Sequence, residues 1–186
     1  MRIRKATLTD LPEMQNVAKV LKVPGRPWCD WHTKRSILPI LTAGRYFVAE
    51  KDGRIVGIMS LINQPGATLE IGTLAVRRSR CREGVGSRLV QFAAAKAERI
   101  GKRKVSVGSF CFYGAKSFYL SLGFRIVFSG SYRGCRGHEF ELSIFTRRNR
   151  KVCALFITSP MQYFKRQLGV LHIFRSYHFQ YLRIPL

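Results

Sequence analysis

Apolar and polar positions along the chain follow two rhythms, and the switches between them mark the elements. Period-two alternation in residues 2–6 predicts a short opening strand. Leu11, Met14, Val17, Ala18 and Leu21 then recur at helical spacing. Thr9 or Asp10 can cap that helix, Pro12 fits its first turn, and Glu13 complements its dipole. Pro24, Gly25 and Pro27 stop it, and a second helical stretch is expected around residues 34–41. Residues 46–50 and 55–62 read as two strands joined by the Asp52-Gly53 turn. After a turn at Gln64-Pro65-Gly66, residues 68–76 read as a central strand, with Gly72 marking a bulge.

Beyond the basic loop 77–82 the rhythm turns helical. From Gly84 on, Leu89, Val90, Ala93, Ala94, Ala97 and Ile100 share one side, and Gly101 is a good C-cap. A strand over 105–110, a short helix over 114–122 ended by Gly123, and strands over 124–128 and 139–144 complete the pattern. Strand–helix alternation followed by antiparallel pieces predicts an α/β fold with a mixed sheet.

Charge changes the picture next. Of the 186 residues, 33 are Lys or Arg and 10 are Asp or Glu, for a net charge of +23. Such a balance attracts polyanions: nucleic acid, acidic lipid surfaces or a phosphorylated cosubstrate. With 46% hydrophobic residues the chain is neither disordered nor collagenous. Every carboxylate precedes Leu142, so two segments are expected: a domain over residues 1–144 and a basic, aromatic-rich extension over 145–186. The extension interleaves rings and cations (Tyr163-Phe164-Lys165-Arg166), a mixture that can stack bases or rest on acidic lipid, but no clean period survives in it.

The five cysteines form no Cys-x-x-Cys pair and no disulfide framework, and the four histidines do not cluster with them along the chain. No metal is expected. There is no signal peptide at the first residues and no run of ~20 apolar residues to span a membrane, which points to the cytoplasm.

Chemistry concentrates at the junction Leu74-Ala75-Val76 through Arg82-Glu83-Gly84-Val85-Gly86-Ser87. A strand there passes through a glycine-bearing loop into a helix start, where free amides and the helix dipole suit a phosphate. Gly84 and Gly86 let it approach the backbone closely. No Gly-Lys-Ser/Thr follows, so this is not a Walker loop, and the third glycine of a dinucleotide fingerprint is missing. Farther on stands Ala115-Lys116-Ser117-Phe118-Tyr119, closing on Gly123-Phe124.

Together, and in this order, these segments resemble the GNAT superfamily of acyl-CoA-dependent N-acyltransferases. In that family a strand ending in Leu-Ala-Val leads into Gln/Arg-x-x-Gly-x-Gly/Ala and a long helix, and an Ala-x-x-Phe-Tyr-x-x-x-Gly-Phe helix follows. The similarity covers roughly residues 1–144. Cys81 stands at the family's Gln/Arg position and Phe112 about where Asn is frequent. The resemblance implies a mostly antiparallel twisted sheet, flanked by helices, whose central strands splay. It implies acetyl transfer from acetyl-CoA to a primary amine, either a small molecule or a peptide N-terminus. Residues 82–87 would receive the pyrophosphate, and the backbone of Leu74, Ala75 and Val76 the pantetheine arm. Tyr119 matches the family's general acid, and Glu70 is the best candidate base. By the period of two Glu70 shares a face with Leu74, a count that a bulge at Gly72 would upset. A Cys81 nucleophile ranks below direct transfer. The rival reading is a basic nucleic-acid-binding module that keeps the fold without the catalysis. A homodimer is compatible with either.

Overall fold

The computed structural model describes residues 1–26 and 28–144, so the basic extension lies outside the described residues. The chain runs β1 (Arg2–Lys5), α1 (Leu11–Ala18), α2 (Lys34–Thr42), β2 (Tyr46–Lys51), β3 (Arg54–Asn63), β4 (Thr68–Val76), α3 (Val85–Arg99), β5 (Lys104–Phe110), α4 (Lys116–Ser121), β6 (Arg125–Tyr132) and β7 (Cys135–Ser143). One seven-stranded sheet has the order β1-β2-β3-β4-β5-β7-β6. Only β4 and β5 run parallel; every other pair is antiparallel. Among the described residues no helix is long and apolar enough to cross a membrane.

The two faces of the sheet carry two cores. On one, α3 lays Val85, Leu89, Val90, Ala93 and Ala97 against Met59, Leu69, Ile71, Val105, Val107 and Phe140. Gly57 of β3 permits this approach: a Cβ there would lie 2.9 Å from Val85 and 3.0 Å from Leu89. On the other face, α1 and α2 bury Met14, Val17 and Ile37 with Val48, Ile55, Ile58 and Ala75. Thr33 caps α2, its hydroxyl accepting from the Ser36 amide at 3.2 Å. Asp10, bidentate to Arg4, ties the start of α1 to β1, and that ion pair pulls its carboxyl down to about 2.

One departure from the sequence pattern and one expectation that the structure bears out both matter. The last two strands are longer than the apolar pattern suggests. They meet at Arg133 and Gly134, both at positive φ (49° and 73°), a turn that suits twisted antiparallel strands. In β4, Ser60 pairs with Thr73 but Leu61 with Ile71, so Gly72 is an extra residue. A Cβ on Gly72 would sit 2.8 Å from the Cδ1 methyl of Ile62, which would have to shift to admit it.

Candidate active site

The bulge reorients the second half of β4. Leu69 and Ile71 face α3, as do Leu74 and Val76, while Ala75 joins the α1 core. Glu70 therefore lies on the face opposite Leu74. The expectation that the two share a face fails because Gly72 adds one residue to the count.

Past the bulge β4 also loses its parallel neighbour. The two strands pair only from Thr68↔Lys104 to Ile71↔Val107, although β4 continues to Val76 and β5 to Phe110. Residues 72–76 and 108–110 thus diverge and leave a backbone edge open between them. The Arg77 amide bonds the Val56 carbonyl at 2.8 Å. Alternate residues of an antiparallel ladder address the partner strand, so Ala75 also turns toward β3. Leu74 and Val76 then present their N–H and C=O groups to the open edge.

The loop after β4 brings the start of α3 to the mouth of this opening. Arg82 (φ 66°) and Gly84 (φ 75°) both adopt the left-handed conformation. The first helical bond of α3 is Arg88 N–H to Gly84 carbonyl at 3.0 Å, so the preceding helical amides have no intrahelical acceptor. At Gly84 the direction of a Cβ is open space. At Gly86 it is filled: Phe118 of α4 lies 3.1 Å away. The two glycines divide the work, one shaping the loop and the other seating α4 against α3. We expect Gly84→Ala to cost about 1 kcal/mol, because the strain of a left-handed alanine is its sole defect there. That corresponds to a loss of roughly 2–4 °C in melting temperature, which calorimetry would read. Glu83 holds Lys51 at 2.8 Å and Arg80 at 3.5 Å, and the Lys51 bond draws its carboxyl below the usual range. Cys81 directs its thiol only at the Arg77 carbonyl, 3.7 Å away.

Tyr119 is buried (5% exposed), its ring against Phe118, Phe124 and Phe140. Burial pushes its phenol well above the ordinary value, so it keeps its proton at neutral pH. Glu70 is buried too (4%) and accepts a 2.5 Å bond from Gln64. Burial raises its carboxyl, the Gln64 bond lowers it, and Glu139 raises it again. Glu139 is itself raised by burial and by Glu141, while Glu141 is held by Lys104 at 2.8 Å. These carboxyls meet because β5 pairs Glu70 with Ser106, and β7 on its other side pairs Gly108 with Glu139.

Two further groupings are not visible in the sequence pattern. Trp28 packs edge-on against Phe110 and Tyr132, with the Arg133 guanidinium 6.0 Å above it, joining the segment after α1 to the β6–β7 turn. And His138 lies 3.5 Å from Cys111, so a histidine and a cysteine remote along the chain do cluster in the fold.

Comparison with known proteins agrees with this geometry. Residues 42–126 match the family profile described as an acetyltransferase (GNAT) domain. Over that stretch the chain is similar to a GNAT acetyltransferase domain. The matched span runs from the end of α2 into β6 and contains the bulge, the splay, the Gly84 loop and Tyr119. Solved structures share its fold at low identity. Ard1 from Thermoplasma volcanium has a TM-score of 0.67 at 18% identity, over 78% of this chain and 98% of that one. The PaiA N-acetyltransferase from Thermoplasma acidophilum, in complex with coenzyme A, has 0.63 at 17%, over 74% and 96%. An aminoglycoside 6'-N-acetyltransferase from Enterococcus faecium has 0.63 at 17%, over 79% and 99%. No curated protein matches the chain.

Proposed function

We propose that this GNAT-like domain transfers an acetyl group from acetyl-CoA directly to a primary amine. The observation that carries the reading is the divergence of β4 from β5 beside a helix start with unbonded amides, with Tyr119 on the next helix. Those residues fit the cosubstrate. Gly84 leaves open space at the loop, and the amides of residues 82–87 can take a pyrophosphate with help from the exposed Arg82 and Arg88. The open edge at Leu74 and Val76, with Ala75 between them, can pair with an amide-bearing arm as an added strand would.

Acetyl-CoA supplies the activated acyl carbon. The chain supplies the rest. A backbone N–H at the Leu74 edge can stabilise the oxygen on which charge develops, a contribution of ~3 kcal/mol for one such donor. Glu70 removes a proton from the amine, which is mostly protonated at neutral pH. Tyr119 delivers one to the departing sulfur. With Glu70 opposite Leu74, the amine arrives on the face away from α3. Glu70 and Glu139 repel each other there, and an arriving ammonium relieves that repulsion. This local acidity favours a cationic acceptor in spite of the chain's overall basic charge. We place the reaction in the cytoplasm, where exposed thiols such as Cys81 and Cys111 stay reduced.

Thermal stabilisation tests the binding half. Acetyl-CoA should raise the melting temperature in a concentration-dependent way, equivalent to about 2.7 kcal/mol at 100 times its dissociation constant. Stabilisation by single- or double-stranded DNA and none by acetyl-CoA would replace the enzyme with a nucleic-acid module.

A further inference from the structure

Cys111 directly follows the end of β5, and β7, antiparallel to β5, returns His138 beside it. The Cys111 thiol is exposed, with Sγ 3.5 Å from His138 Nε2. On the other side of the imidazole, Nδ1 lies 2.8 Å from Ser129 Oγ across the β6–β7 pair. The ring also packs edge-on against Phe140, centroids 5.9 Å apart. When the Ser129 oxygen accepts the Nδ1 proton, Nε2 carries the lone pair and faces the thiol as a base. A nucleophile, a base and a group that orients the base are thereby in line. No other cysteine of the described residues has this setting: Cys29 and Cys135 are buried, and Cys81 faces a carbonyl, which cannot take a proton.

We propose that Cys111, with His138 as its base and Ser129 as a positioning residue, is a nucleophilic thiol that takes up an acyl group from a thioester. The segment bearing it leaves the splayed end of β5 and leads into α4, the helix of Tyr119. In the step, the Sγ proton passes to His138 Nε2 and a bond forms between Sγ and the carbonyl carbon. The thioester C–S bond breaks, and its thiolate leaves with the proton from the imidazolium. The products are S-acyl Cys111 and a free thiol. Only acetyl-CoA as the natural donor rests on the acetyltransferase reading; the thiol chemistry does not.

The test incubates the full chain with acetyl-CoA and, separately, with S-acetyl-N-acetylcysteamine, a thioester without a nucleotide. After acid quenching and tryptic digestion, an acetyl group is expected on the peptide of residues 105–116, released by neutral hydroxylamine. His138→Gln should slow labelling by the small thioester about 10-fold or more and move its pH dependence toward that of a free thiol. Ser129→Ala, at an exposed hydroxyl, should slow it less and shift the profile the same way. Cys111→Ser should abolish the label, and Cys81→Ser should leave it unchanged. Labelling by the small thioester without preference for acetyl-CoA upholds the thiol site while counting against the CoA reading. Equal labelling of Cys81, a wild-type rate and profile in both His138→Gln and Ser129→Ala, or no label on Cys111 from either donor would overturn the proposal.

Discussion

Tyr119→Phe is expected to lower turnover by about 100-fold or more while leaving the affinity for acetyl-CoA unchanged. The substitution is clean because the ring, rather than the hydroxyl, does the packing. Phe118, Phe124 and Phe140 lie with centroids 5.1, 5.6 and 5.0 Å from it, and a phenylalanine keeps all three contacts. What disappears is a single O–H, held protonated by burial at a pH where a carboxyl or an imidazole would have shed its proton. A 100-fold loss corresponds to about 2.7 kcal/mol of the barrier, within the range for one positioned proton donor. Steady-state rates with a thiol-reactive dye, beside calorimetric titration of acetyl-CoA, separate the two quantities. A variant that turns over like the wild type would remove Tyr119 from the mechanism and leave it as core. A variant that loses affinity instead would assign the hydroxyl to binding.

Much of this site is written locally. Leu74-Ala75-Val76, the Gly84 loop and the apolar stripe from Leu89 to Ala97 are consecutive along the chain, so strand, turn and helix can be read in passing. Even the bulge shows itself, because a glycine inside an apolar strand has few other uses. What it does to Glu70 does not show: whether the chain resumes its alternation before or after Gly72 depends on how β3 pairs with β4. Gly86 is a similar case. Its sequence context suggests room for a ligand, whereas the room is occupied by Phe118, a residue of another helix. The β6–β7 turn stays hidden because Ser129, Gly130, Ser131 and Gly137 break the apolar rhythm that would betray two strands. Cys111 and His138 are 27 residues apart, and only the antiparallel return of β7 beside β5 makes them neighbours. Legibility ends where a contact depends on register rather than on spacing.

Register likewise sets the chemistry of Glu70, and Glu70→Gln should cost about 100-fold in kcat/KM near neutral pH. Its pH dependence is the sharper test. Burial above all holds this carboxyl above the ordinary carboxylate range; the Gln64 bond pulls it down in part, and the Glu139 charge adds a smaller upward push. A base works only when ionised, so kcat/KM should climb with pH through that raised value and the limb should vanish in the variant. Glu139→Gln removes one of the upward influences, and the limb should move to lower pH with the maximal rate less affected. Stability runs the other way. The folded protein binds a proton at Glu70 that the unfolded chain has already released between the ordinary and the raised value. The associated stabilisation is complete below the unfolded value and is lost as pH rises through the folded one. Glu70→Gln has no charge to desolvate and can still accept from Gln64, so it should melt higher than the wild type at neutral pH. Below the ordinary carboxylate range the two should melt alike. An acidic limb that persists in Glu70→Gln would move the base to another group, with Glu139 the next to examine. A variant that melts lower at neutral pH would mean that the ionised carboxylate is structurally satisfied where it lies.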